Sequence, residues 1–207
     1  MTPIVLLAAA PAVTVPAPPS PQQFPGLFSG NDYPATAMRA GQEGSVFIGA
    51  LVGPDGRVDT CRVIISSGYP ILDTATCMLV KTRARYSPAT TSDGKAMYSV
   101  DKRGVSWSLG RKLPPIDPEL EVTINRGPAG IKMPATVKVS YLSKADGKVS
   151  DCGPYRGQYQ DSTQAPQVLV DVACQAVAQQ PREIVRTATG QAVEASNTMT
   201  VRIRVQR

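Results

Sequence analysis

Apolar and polar residues alternate in two separate stretches of the chain. Val46, Ile48, Ala50 and Val52 occupy every second position, and Val137, Val139 and Tyr141 repeat the pattern later. A period of two places one set of side chains on one face of a strand. Each stretch runs into an Asp-Gly pair, Asp55-Gly56 and Asp146-Gly147, with further apolar residues beyond. That order predicts strand, tight turn, strand, with the glycine supplying the positive φ of the turn. The period then lengthens. Leu72, Ala75, Thr76, Leu79 and Val80 fall at helical spacing, as do Leu169, Val172, Ala173, Ala176 and Val177. Pro70 and Pro166 stand near the two helix starts, where a missing N–H costs little. An alternating strand closes each half, Val105 to Leu109 in the first and Met199 to Val205 in the second. The pattern therefore predicts an α+β chain of two tandem ββαβ units. Each would be a small antiparallel sheet with one helix packed on a face. The boundary falls near Arg111 to Pro115, giving units over 31–112 and 113–207.

The halves also match residue by residue around the turns. Asp55-Gly56-Arg57-Val58-Asp59-Thr60-Cys61 corresponds to Asp146-Gly147-Lys148-Val149-Ser150-Asp151-Cys152. Each half then carries one cysteine at the end of its second strand and one within its helix, Cys77 and Cys174. The second interval is longer, which places an insertion within Gly153 to Gln164. Cysteines at matching places in two diverged copies are best explained by local bridges, Cys61–Cys77 and Cys152–Cys174. Closing loops of this size stabilises each unit by roughly 3 kcal/mol.

Composition narrows the chemistry. The 207 residues contain no histidine, which excludes a Ser-His-Asp triad, a Cys-His pair and imidazole metal sites. No catalytic constellation, metal site or cofactor motif is present, so the reading is non-enzymatic. Lys+Arg 22 against Asp+Glu 16 gives a net charge of +6, scattered rather than clustered. No basic stripe interleaved with aromatics points to nucleic acid, and nothing points to a small-molecule substrate. The apolar run Ile4 to Ala10 is shorter than the roughly 20 residues a membrane-spanning helix needs. Ala10-Pro11-Ala12 has the small-x-small form of a signal-peptidase site, although no Lys or Arg precedes the run. The expectation is a signal peptide over 1–12 and export to the periplasm, or membrane association if the segment is kept. Paired cysteines suit an oxidising compartment. The stretch Pro16 to Pro25 reads as part of a polyproline-like spacer over 13–30.

The first half resembles the C-terminal domain of TonB energy transducers. The resemblance rests on Tyr33-Pro34-Ala35, Ala37, Gly44-Ser45-Val46, Pro54-Asp55-Gly56-Arg57-Val58, Ser66-Ser67-Gly68-Tyr69, Leu72-Asp73 and Arg85-Tyr86-Ser87-Pro88-Ala89. It covers about Tyr33 to Leu109. Ala84 departs from the family pattern, which has an aromatic there. The second half looks like a diverged relative that lacks the Tyr-Pro-Ala and Tyr-x-Pro-Ala pieces. The resemblance implies a TonB-like periplasmic protein serving TonB-dependent transport. Its partner would be the TonB box segment of an outer-membrane receptor, taken up by β-strand addition. It further implies ExbB and ExbD as partners if the chain is membrane-anchored. Carried over by position, the receiving edge is Val105, Ser106, Trp107, Ser108 and Leu109, with Tyr33 and Pro34 packing nearby. The alternative is a non-catalytic envelope adaptor or structural module that kept the fold and lost energy transduction.

Several residues have a plainer reading beside a sharper one. Trp107, the sole tryptophan, suits a core position better than a contact anchor. Lys81, Arg83 and Arg85 suit the C-terminal end of a helix dipole. Lys102-Arg103 and Arg111-Lys112 read as solvated loop charges, and Arg202, Arg204 and Arg207 as a charged edge that discourages aggregation. Tyr155 and Tyr159 could form a small surface in the inserted loop or cover the core beneath it. Asp73 sits in a helix first turn, where a negative charge is favourable.

Overall fold

A computed structural model describes residues 20–21, 26–91, 93–156, 165–181 and 183–206. The expected signal peptide, most of the Pro-rich spacer, Tyr159 and Arg207 lie outside the described residues. In chain order the elements are β1 (Ser20–Pro21), α1 (Ala35–Arg39), β2 (Gly44–Val52), β3 (Val58–Ile65), α2 (Pro70–Arg83), β4 (Tyr86–Ser87), β5 (Ala89–Thr90) and β6 (Ala96–Trp107). There follow β7 (Glu119–Ile124), β8 (Ala135–Ser143), β9 (Val149–Pro154), α3 (Gln167–Ala178) and β10 (Ala195–Val205). The class is α+β, with an open sheet and few helices.

The two Asp-Gly hairpins form as the alternation predicts. Gly56 has φ +75° and Gly147 φ +79°. In each turn the aspartate accepts a backbone hydrogen bond two residues on, Arg57 N to Asp55 Oδ1 at 3.0 Å and Lys148 N to Asp146 Oδ1 at 2.9 Å. These Asx-type bonds add to the backbone bonds that close the turns, Gly53 N to Arg57 O and Lys144 N to Lys148 O, both at 2.8 Å. Gly56 has a second constraint. A Cβ there would stand 2.2 Å from the Tyr86 carbonyl oxygen, and Tyr86 N donates to Gly56 O at 3.0 Å.

Each helix buries the stripe that its spacing singled out, with one adjustment. Leu72, Ala75, Thr76, Leu79 and Val80 of α2 are buried against Val46, Ile48, Ala50 and Val52. In α3 the buried set is Leu169, Val170, Ala173 and Val177, while Val172 and Ala176 are only half-buried. The face of α3 is therefore turned toward Val170 relative to the expectation. Both disulfides form as expected, Cys61–Cys77 and Cys152–Cys174, with Cα atoms 5.5 and 5.6 Å apart. Cys61 lies inside β3 and not at its end.

The expectation of two separate antiparallel sheets requires correction. Apart from a short antiparallel pair of β1 and β4, the strands form one sheet in the order β3-β2-β6-β10-β8-β9, with β5 on β6 and β7 on β10. The seam is a parallel pairing of β6 and β10 at Tyr98↔Ala195 and Ser99↔Ser196. Alternation across this seam fixes the two sides. Val46 pairs with Val105 and Leu51 with Val100, so Val100 and Tyr98 face away from α2. Ala195 shares that face, and its register with β8 carries it to Val139 and Val137, which pack on α3. The two helices therefore cover opposite faces of one sheet. Leu51, Val100, Val193 and Ala195 form a small separate core at the seam, with Tyr98 and Val185 packed against it. Asp59 Oδ2 accepts from Ala188 N at 2.7 Å, and Arg62 pairs with Glu183, adding polar ties between the halves.

Candidate functional site: the free flank of β6

β6 runs alongside β2 over Ser99 to Trp107 in unbroken register. On its other side it meets β10 only at Tyr98 and Ser99. Among the described residues no strand pairs with that flank from Gly104 to Trp107. Gly104 and Ser106 are exposed. Unpaired N–H and C=O groups along such a flank are a template for an added strand.

The end of β6 is held from below by its side chains. Trp107 is only 5% exposed, and its indole Nε1 donates to Thr76 Oγ1 of α2 at 2.8 Å. Thr76 itself donates to the Leu72 carbonyl at 2.8 Å. Phe28 and Tyr33 stand edge-on to the indole, with ring centroids 6.0 and 5.3 Å away. Tyr33 donates its hydroxyl to Gln42 O at 2.5 Å, and burial pushes its phenol up. The Tyr-Pro segment thus braces the core under β6. Trp107 can offer its backbone to a partner, while its ring belongs to the interior.

The remaining expected edge residues sit elsewhere. The strand ends at Trp107, so Ser108 and Leu109 lie past it. Ser108 Oγ donates to Arg111 O, and Leu109 N donates to Glu43 Oε1 at 2.6 Å. Val105 is buried on the α2 side and Ser106 points away, its hydroxyl 2.9 Å from that of Ser45.

Charges around β6 are placed differently from their sequence reading. Lys102 and Arg103 are strand residues and not loop residues. Arg103 pairs with Asp101 at 2.5 Å, and Tyr86 donates its hydroxyl to the same Asp101 at 2.7 Å. Burial raises the Tyr86 phenol strongly, with Asp101 adding to the effect. Lys102 Nζ donates to the Thr198 carbonyl of β10 at 3.2 Å. Burial lowers its ammonium to about 8, with Arg62 and Lys138 adding to the fall and Glu183 opposing it. Arg83 does more than complement a helix dipole. It grips Asp32 through both guanidinium nitrogens, at 2.8 and 2.7 Å, and donates to Leu27 O at 3.2 Å. Those bonds hold the Asp32 carboxyl well below the usual range and fasten the segment before α1 to the end of α2. Asp73 accepts from Ser66 and Ser67, which outweighs its burial and holds its carboxyl low. Arg202 and Arg204 do not form an outer edge, since β10 lies inside the sheet and pairs them with Glu119 and Glu121 of β7.

Strand β7 has no counterpart in the sequence reading. Its signal was present: Leu120, Val122 and Ile124 alternate with Glu119, Glu121 and Thr123. It lies in parallel on β10, on the side that β6 leaves free after Ser196. Among the described residues no group of three or more His, Cys, Asp or Glu could hold a metal ion, and no helix is long and apolar enough to cross a membrane.

No curated protein matches the chain. A family model described as Gram-negative bacterial TonB protein C-terminal matches residues 29–108. That span begins at Ser29, before the Tyr33-Pro34 brace, and ends one residue beyond the last residue of β6. It holds the hairpin, the bridged helix and the free flank together. Residues 29–108 are thus similar to the C-terminal domain of Gram-negative bacterial TonB proteins, a family of interaction domains and not of enzymes.

Proposed function

We propose that this chain is a TonB-like periplasmic protein. It binds extended segments of outer-membrane transport receptors by adding them as a strand to the flank of β6, at Val105 to Trp107. The observation that carries this reading is that flank itself, within the matched span, exposed at Gly104 and Ser106 and, among the described residues, without a strand partner from Gly104 to Trp107. Main-chain hydrogen bonds supply affinity there with little demand on side chains. Trp107, Thr76 and Tyr33 supply the rigidity, so little ordering cost falls on this side of the contact. Ser108 and Leu109, beyond the strand, would bound the contact at its upper end, and Pro34 would support it from below.

The remaining parts of the reading follow from the same architecture. The order β8, β9, α3, β10 repeats β2, β3, α2, β6, each with a helix-to-sheet disulfide. We read 113–207 as a diverged second copy of the 31–112 unit. Two bridged pairs suit an exported chain, with residues 1–12 removed and the spacer ending before Gly26, since Leu27 is buried in the first core and Phe28 packs on Trp107. ExbB and ExbD would be partners only of a form that keeps a membrane anchor.

The test is an NMR titration of the 15N-labelled chain with N-terminal periplasmic peptides of the TonB-dependent receptors of its own cell. Shifts concentrated on the backbone amides of Val105, Ser106 and Trp107 are expected. If no peptide moves these amides, strand addition on β6 is wrong. Envelope pull-downs that retrieve other proteins and no receptor would favour the adaptor role instead. N-terminal sequencing of the mature chain checks export, with a start near Val13 expected.

A further inference from the structure

Buried polar groups are ordinarily hydrogen-bonded, and around Lys102 several are not. Lys102 shares a face of β6 with Tyr98 and Val100, the face that continues across the seam to the α3 side. Tyr141 of β8 and Asn197 of β10 are directly paired, so their side chains leave that same side of the sheet with Cβ atoms about 5 Å apart. Both are buried, as is Ser143, the next residue of β8 on that face. Lys102, Tyr141, Ser143 and Asn197 line one cavity of about 230 Å³, and Val177 of α3 and Met199 of β10 give it an apolar wall.

Donors outnumber acceptors on this cavity. Asn197 Oδ1 accepts from Thr198 N at 2.9 Å, which leaves both protons of Nδ2 to donate. Among the described residues neither Asn197 Nδ2 nor the Tyr141 hydroxyl has a hydrogen-bond partner. Burial pushes the Tyr141 phenol up, so it stays a donor. The Lys102 ammonium has three N–H groups and uses one on Thr198 O at 3.2 Å. Burial lowers it only to about 8, so it is charged at neutral pH, yet no carboxylate among the described residues pairs with it. Glu183 is the one carboxylate among the described residues on this cavity, and Arg62 of β3 binds it. Lys148, also on the cavity, is paired with Asp146 at 3.1 Å. A buried cation without a counterion is costly, and an anion in the cavity would remove that cost. One uncompensated cation calls for one negative charge, since a dianion such as phosphate would be repelled by Glu183 as well. The apolar wall calls for a hydrocarbon body on the anion.

We infer that this cavity binds a small aliphatic monocarboxylate, its carboxylate held by Lys102 Nζ, Tyr141 Oη and Asn197 Nδ2 and its hydrocarbon body lying against Val177 and Met199. The inference does not rest on strand addition to β6. Lys102 lies within the family-matched span and the other residues of the site outside it. A bound acid would therefore tie β6 of the first half to β8 and β10 of the second, beside a seam that the backbone closes at two residue pairs.

NMR titration of the isotope-labelled full chain with isovalerate at neutral pH tests this, with isovaleramide as the uncharged counterpart of the same shape. Saturable shifts are expected at the Asn197 side-chain amide and the Val177 methyls, with a Kd of about 1 mM or tighter. Isovaleramide should bind about tenfold more weakly, because it forgoes the charge-assisted bond to Lys102. Lys102→Met should weaken isovalerate binding about tenfold and Tyr141→Phe about fivefold. Shifts that fail to saturate by about 20 mM would overturn the site. Equal binding of acid and amide, or binding unchanged by Lys102→Met, would overturn it too. Should Lys102→Met fail to fold, Tyr141→Phe and the comparison of acid with amide on the unaltered chain still decide the matter.

Discussion

The bond between Trp107 and Thr76 is the point at which core packing and the proposed binding flank meet, and it can be broken without changing shape. Thr76→Val replaces a hydroxyl by a methyl of similar size. The hydroxyl is fully buried, accepts from the Trp107 indole at 2.8 Å and donates to the Leu72 carbonyl at 2.8 Å. The Leu72 carbonyl keeps its place in the helix ladder, so its loss is minor. The indole N–H, on a ring only 5% exposed, is left without an acceptor. A buried donor stripped of its partner costs about 1–3 kcal/mol, and the value here should be close to 2 because Phe28 and Tyr33 close off water. For a unit of this size that corresponds to a fall in melting temperature of roughly 10 °C. Urea denaturation followed by circular dichroism measures it. The sole tryptophan adds a second readout, since its emission should stay blue-shifted while the midpoint falls. A double-mutant cycle with Trp107→Phe isolates the bond. Once the indole N–H is gone, Thr76→Val should cost less by at least 1 kcal/mol. If Thr76→Val lies within about 0.5 kcal/mol of the parent, or the cycle is additive, the reasoning fails.

Three further outcomes follow from the same structure. Replacing Cys61 and Cys77 together by alanine should destabilise the first unit by about 3 kcal/mol, read as a lower urea midpoint that reductant no longer shifts further for that unit. Asp32 has its folded-state carboxyl held below its unfolded value by Arg83 and Ser29, so its contribution is present above the unfolded pKa and lost as pH falls through the folded one. The stability gap between the parent and Asp32→Asn should therefore be open near neutrality and close progressively below about pH 4, and a gap that persists in acid would disprove the assignment. Lys102 has a folded-state pKa lowered to about 8 from 10.5, so the unfolded chain binds more protons between those values. The parent should gain stability relative to Lys102→Met as pH rises from about 8 to 10.5, measured by denaturant midpoints, with a flat difference counting against burial of the ammonium.

Much of this molecule is legible in one dimension because its pieces close locally. The hairpins at Asp55-Gly56 and Asp146-Gly147 need only alternation and a residue that tolerates positive φ. Helix α2 needs only a stripe at helical spacing, and each disulfide joins neighbours within one unit. The Tyr33-Pro34 segment could be placed near the end of β6 by resemblance, but its job of bracing Trp107 depends on ring geometry. α3 shows where local spacing stops being enough. Its residues are apolar nearly all round, so the choice between Val170 and Val172 falls to the sheet beneath.

Period and turn chemistry thus specify the short-range elements: two hairpins, two helices, two bridges and the closing strands. How the halves meet is settled only in three dimensions. The Tyr98–Ala195 seam, the helices on opposite faces and the burial of Lys102 involve residues about a hundred positions apart. Backbone edges are alike at every residue, so no side-chain pattern announces which free edge will find which. That choice belongs to the packing of the assembled sheet, where an unpaired flank is closed, as at Ser99, or left open, as at Val105.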